Sequence, residues 1–126
     1  MFGTLSLVAL GGALGASLRW LWGMGVHRLT GPMEFPVAIM GANVLGSFLM
    51  GVFVVVAAQR GLTQLSPFVA TGLLGGFTTF SAFSLETVTL IERGQTVAAI
   101  GYVALSVSLS IVGLALGLWL ARGALA

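Results

Sequence analysis

Hydrogen-bonding side chains are scarce in this chain, and those present recur at helical spacing. Asn43 and Ser47 are one turn apart, with Gly51 one turn further, so a helix through them carries a small, polar face. Tyr102, Ser106 and Ser110 repeat the i, i+4 step and run on into Gly113 and Gly117. In apolar surroundings an amide or hydroxyl is costly without a partner, so both faces must look inward. They serve either as glue between helices or as the lining of a pore or ligand site. Glu86 is either a carboxylate inside the apolar region or an ordinary charge near a helix end.

A third group lies in Gly72-Leu-Leu-Gly-Gly-Phe-Thr-Thr-Phe-Ser-Ala-Phe83. Gly72, Gly75 and Gly76 each weaken a helix by about 1 kcal/mol relative to Ala. Thr78, Thr79 and Ser81 supply hydroxyls that can take over backbone hydrogen bonds where a helix is interrupted. The stretch is either a kinked helix packed through its glycines or a true break. At membrane depth a break is tolerated only where protein encloses it or a wet cavity runs past it. Phe80 and Phe83 share one face if the helix resumes after Thr79.

The elements that must position these groups are membrane spans. Of 126 residues, 58% are hydrophobic and 6% charged, with a mean hydropathy of +1.12, which excludes an ordinary soluble domain. Four apolar segments, at about residues 5–24, 37–58, 66–91 and 97–121, fill the chain as a single transmembrane domain over 1–126. The first lacks a basic leading region, so it reads as a span and not as a cleaved leader. Its Gly11 and Gly15 form a small-xxx-small step for close approach of a neighbour. Arg19, Trp20 and Trp22 read as an anchor at the membrane interface, and the proline-bearing run 25–36, including His27, as a loop. Pro67 suits the start of the third helix, and Gly94 the end of the segment before the fourth.

Zero cysteines and a single histidine exclude disulfides, thiolate metal sites and histidine clusters. No nucleotide-binding loop or cofactor motif is present, so any transport is expected to be passive and the protein not an enzyme. Four spans place Arg60 and Arg122 on one side and Arg19, Arg28 and Arg93 on the other. Two against three is almost no positive-inside bias, so insertion in both orientations and an antiparallel two-fold dimer are expected.

The residues resemble the Fluc (CrcB-type) fluoride channels over essentially the whole chain. The resemblance is carried by Gly11-Gly-Ala-Leu-Gly-Ala-Ser-Leu-Arg-Trp20, Asn43-Val-Leu-Gly-Ser-Phe48 and, most specifically, Gly75-Gly-Phe-Thr-Thr-Phe-Ser-Ala-Phe-Ser-Leu-Glu-Thr87. It implies an all-α membrane protein of four transmembrane helices, the third broken near its middle, paired as an antiparallel dual-topology homodimer in the cell membrane. It further implies two fluoride pores and a structural sodium ion at the dimer interface, held by the backbone carbonyls of Gly75 and Thr78. Phe80 and Phe83 would meet fluoride with their ring edges, and Asn43 would be a pore donor. Ser81, Glu86, Tyr102, Ser106 and Ser110 would line the path or neighbour it. Ala82 departs from the family, in which a hydroxyl residue, commonly Thr, often stands there.

The chemistry agrees: a pore for a small, tightly hydrated anion must replace water with donors, and amide and hydroxyl groups do so. The rim of an aromatic ring is its positive edge. A different class fits the four helices and balanced charge as well, a small dual-topology proton-coupled multidrug exporter with Glu86 as its coupling carboxylate. That class would place a carboxylate in the early spans, which have none.

Overall fold

The computed structural model describes Met1–Ala126 and is entirely helical. Helix α1 is Phe2–Thr30 and α2 is Val37–Arg60. The third span, Thr63–Glu92, is composite: a 3-10 turn Thr63–Leu65, a π-helical segment Pro67–Leu74, a last turn α3 at Gly75–Phe77, and then α4 at Phe80–Glu92. Helix α5, Thr96–Leu125, is the fourth span. All four spans are long and apolar enough to cross a bilayer, and at 1.5 Å per residue they are about 36 to 45 Å long.

Helix α1 outruns its expected end. Its last turn carries Arg28, whose positive charge suits a helix C-terminus, and no proline intervenes before Gly31 stops it at φ 72°. The loop is therefore only Gly31–Pro36, and His27 is helical. The other reversals use Gly61 (φ 66°) and Gly94 (φ 79°), left-handed positions that a side chain would strain.

Two helix pairs make the fold. Helix α1 lies along the first arm of the third span, and α2 lies along α5. Glycine lets both pairs touch backbone to backbone. A Cβ on Gly11 or Gly15 would collide with the carbonyl oxygens of Phe68 and Leu73. A Cβ on Gly72 would stand 2.8 Å from the Gly11 Cα, and one on Gly76 2.8 Å from the Gly12 oxygen. In the second pair Gly51 meets Leu114, and Gly117 meets Phe48. Without water to drive apolar surfaces together, such close approach is what holds membrane helices.

The anchor at the end of α1 divides in two. Trp20 faces out, 65% exposed, as an interfacial indole should. Arg19 and Trp22, three residues apart on the other face, turn inward. Arg19 Nε donates to the Gly76 carbonyl at 3.2 Å, and Trp22 Nε1 donates to the Ala38 carbonyl at 3.0 Å. A charge at this depth gains from the Gly76 carbonyl that the break releases, and an indole N–H from a second bond to a helix carbonyl.

Candidate functional site

The third span breaks at Thr78 (φ −85°, ψ 156°) and Thr79 (φ −152°, ψ 119°), both extended, near the middle of Thr63–Glu92. The break is real, but the glycines are not its hinge. Gly72, Gly75 and Gly76 all lie within helical segments, and Gly72 and Gly76 serve the contact with α1. The π-helical turn before the break is closed by the Gly75 N–H donating to the Ala70 carbonyl.

Side chains meet several of the groups that the break exposes. The Asn43 side chain accepts from Thr79 N at 2.7 Å with Oδ1 and donates to Thr79 O at 3.0 Å with Nδ2. These two bonds fix the orientation of the amide, since a flip would set donor against donor. Thr79 Oγ1 caps α4 by accepting from Ala82 N at 3.1 Å and lies 3.3 Å from Ser81 Oγ. Thr78 Oγ1 returns to the Leu74 carbonyl at 2.9 Å. Gly46 on α2 leaves room for the Thr78 methyl group.

Around this break lies a cavity of about 430 Å³. Asn43 and Ser47 enter it from α2, Phe80 and Phe83 from α4, and Ser106 and Ser110 from α5. Thr78 and Thr79 form its floor, and Met50, Val107, Ile111 and Leu114 supply an apolar side. Gly51, eight residues from Asn43, is rotated by about 80° and leaves the cavity for α5.

The aromatic rings form a row. Phe80 and Phe83 have centroids 5.5 Å apart, Phe83 and Tyr102 5.2 Å, and Tyr102 meets Phe35 edge to face at 5.6 Å. Phe80 is 78% exposed at the open end, and Tyr102 is fully buried at the inner one. The Tyr102 hydroxyl and Ser106 Oγ, one turn apart on α5, are buried without a hydrogen-bond partner. Two unpaired hydroxyl groups beside a cavity are uncommitted donors.

Of the residues singled out from sequence, the cavity therefore collects Asn43, Thr78, Phe80, Phe83, Ser106 and Ser110. Tyr102 stands behind Phe83, and Ser81 beside Thr79 is exposed. Glu86 is half-buried on α4 and does not line the cavity, and Gly75 is exposed on the subunit surface. No cluster of His, Cys, Asp or Glu is placed to hold a metal. A cation here would draw on neutral oxygens. The break releases the carbonyls of Gly75, Gly76, Phe77 and Thr78 from helical bonding: the Thr79 N–H goes to Asn43 and the Ala82 N–H to Thr79 Oγ1, and of the four carbonyls Arg19 takes that of Gly76. Sequence reasoning missed Phe35, whose only signal is an aromatic residue inside a short polar loop; Arg19, read as an anchor and as the one basic residue able to reach inward, does turn inward.

Residues 6–118 match the family described as CrcB-like protein, Camphor Resistance (CrcB). The chain is 73% identical over 121 residues to a protein of Roseobacter denitrificans named fluoride-specific ion channel FluC, covering 95% of this chain and 96% of that one. Proteins of the same name are 64% identical in a Ruegeria species, over 97% of each chain, and 59% identical in Cereibacter sphaeroides, over 98% of each.

Proposed function

The chain belongs to the CrcB-like protein family, and on that premise we propose that it is a fluoride-selective channel through which the anion leaves the cell by passive flow, protecting it from fluoride. The observation that carries this is the cavity at the break, where two phenylalanine edges, an amide and the Ser106 and Ser110 hydroxyls converge with no charged residue among them. Fluoride sheds tightly held water only if donors replace it, and weak neutral donors also release it. Ser106 Oγ, which lines the cavity, has no partner outside the neighbouring Tyr102 hydroxyl. Asn43 Nδ2 spends one hydrogen on Thr79 and keeps one. Phe80 and Phe83 offer positive ring edges along the row. Ser81 and Glu86 flank this path, nearer the face that a second subunit would close.

The working unit is an antiparallel, dual-topology homodimer in the cell membrane. The near-balanced arginines support it, as does a cavity open on one side of the lone subunit. A sodium ion at the two-fold axis fits the freed carbonyls of Gly75 and Thr78, an oxygen-only set suited to a hard monovalent cation. Bound there, it would supply fixed positive charge between two breaks. Nothing favours a proton-coupled exporter, since Glu86 lies outside the cavity and the relatives are named as channels.

The test is efflux of fluoride, against chloride, from liposomes holding the purified protein. Rapid fluoride loss with chloride retained is the expected result. Equal permeation, or none from verified dimers, would end the proposal.

A further inference from the structure

Phe35 lies outside the cavity and outside every polar face, yet it is the residue on which the aromatic row ends. Its ring stands at 90° to Tyr102, with centroids 5.6 Å apart, and it packs on the buried cluster of Leu90, Ala99 and Tyr102. The loop that carries it is only six residues long and is held on both sides of Phe35. After it, Pro36 (φ −82°, ψ 68°) forms an inverse γ-turn, closed by Val37 N donating to the Phe35 carbonyl at 2.9 Å, and proline's ring fixes that φ. Before it, Glu34 accepts a hydrogen bond from Gln95 Nε2, across from the turn that joins α4 to α5. A solvent-side loop with no other purpose has no need of two restraints around one half-buried ring.

We propose that Phe35 is a positioning residue for the ion path, seated by the Glu34–Gln95 hydrogen bond and the Pro36 turn. It buttresses Tyr102, and through Tyr102 the edge of Phe83, against the pressure of an anion moving past. This rests on the fluoride-channel reading, because the row matters only if ring edges meet the ion. Tyr102 and Phe83 lie on different helices, α5 and α4, and the loop before α2 is a third element pressing on the end of their row. A ring displaced by a fraction of an ångström keeps its burial but loses its aim.

Liposome efflux of fluoride is measured on size-checked dimers of the wild type and of Phe35→Ala, Phe35→Leu and Phe35→Tyr. Phe35→Ala should lower flux per dimer about tenfold and Phe35→Leu by less, with Phe35→Tyr within about twofold of the wild type. In the clasp, Gln95→Glu sets two carboxylates together and should slow efflux, and adding Glu34→Gln should restore it by reversing donor and acceptor. Met33→Ala, an exposed neighbour on the same loop, should leave flux unchanged. The single tyrosine of the chain makes a carbon-13 tyrosine label report on Tyr102 alone. Its ring flips should quicken in Phe35→Ala and in Gln95→Glu, and slow again in the Glu34→Gln/Gln95→Glu pair. A wild type that does not pass fluoride removes the channel reading, and the tyrosine signal then decides the buttress by itself. Conducting wild type with unaltered flux in Phe35→Ala, or unaltered ring dynamics across the series, overturns the positioning role. If Phe35→Ala fails to assemble, Phe35→Leu and the Gln95 pair decide in its place.

Discussion

Asn43 holds Thr79 by both of its backbone groups, Oδ1 at 2.7 Å from the amide nitrogen and Nδ2 at 3.0 Å from the carbonyl oxygen. One side chain on α2 thus performs for a single extended residue what a neighbouring strand does in a sheet. The same amide lines the cavity, so fold and path share it.

Removing that amide should be felt in stability first. Asn43→Ala leaves an N–H and a C=O unpaired at membrane depth, a loss of about 2 to 4 kcal/mol. Thermal unfolding of the dimer in detergent is the measurement, and a midpoint equal to that of the wild type would show that the break holds without Asn43. Asn43→Asp should be as poor, since a carboxylate has no hydrogen for Thr79 O.

The phenylalanines should behave in the opposite way. Phe80 is largely exposed in the subunit, so Phe80→Ile costs little stability, and Phe83→Ile costs about 1 kcal/mol. Both are expected to give intact dimers with strongly reduced fluoride efflux, because an aliphatic side chain has no positive edge. Phe48→Ile, whose backbone lies against Gly117, should conduct nearly as the wild type does. Normal efflux from both Phe80→Ile and Phe83→Ile would reduce the rings to scaffolding.

With Arg19 turned inward, Arg28 and Arg93 face Arg60 and Arg122, and two arginines against two should not decide an orientation. A terminal tag is expected to be accessible from both faces of the membrane, in intact and opened cells. Adding two arginines to the 61–64 turn should bias insertion one way and lower the yield of dimers. A tag found on one face alone in the unmodified protein contradicts the antiparallel pairing.

Sodium should matter to assembly and not to the reaction of any side chain. Exchange of sodium for a large organic cation is expected to lower the unfolding midpoint of the dimer and slow fluoride efflux, with recovery when sodium is returned. Dimers indifferent to this exchange would leave the Gly75 and Thr78 carbonyls without their proposed ion.

Much of this molecule is legible in its sequence, because membrane spans and inward polar faces are written in one-dimensional patterns. Asn43 with Ser47, and Ser106 with Ser110, fall in one cavity as their spacing requires. The break was legible from the glycines together with the Thr78, Thr79 and Ser81 hydroxyls, and the helix does resume after Thr79. The part played by the glycines was not, because glycine reads the same whether it bends a helix or admits a neighbour, and only the contact with Gly11 and Gly12 distinguishes the two. Arg19 was legible in part: the sequence marks it as the one basic residue able to reach inward, but not its partner, the Gly76 carbonyl 57 residues away. Phe35 was invisible because its meaning depends on a tyrosine in another helix.

The two extended residues at the break also set the phase of everything that follows. In an uninterrupted helix, at about 100° per residue, Phe80 and Phe83 would fall within about 80° of Gly72, on the face turned to α1. Thr78 and Thr79, both extended, release α4 from that face. The break is therefore a clutch as well as an opening: it lets Gly72 and Gly76 keep their grip on α1 while the phenylalanines are swung round toward α2 and α5.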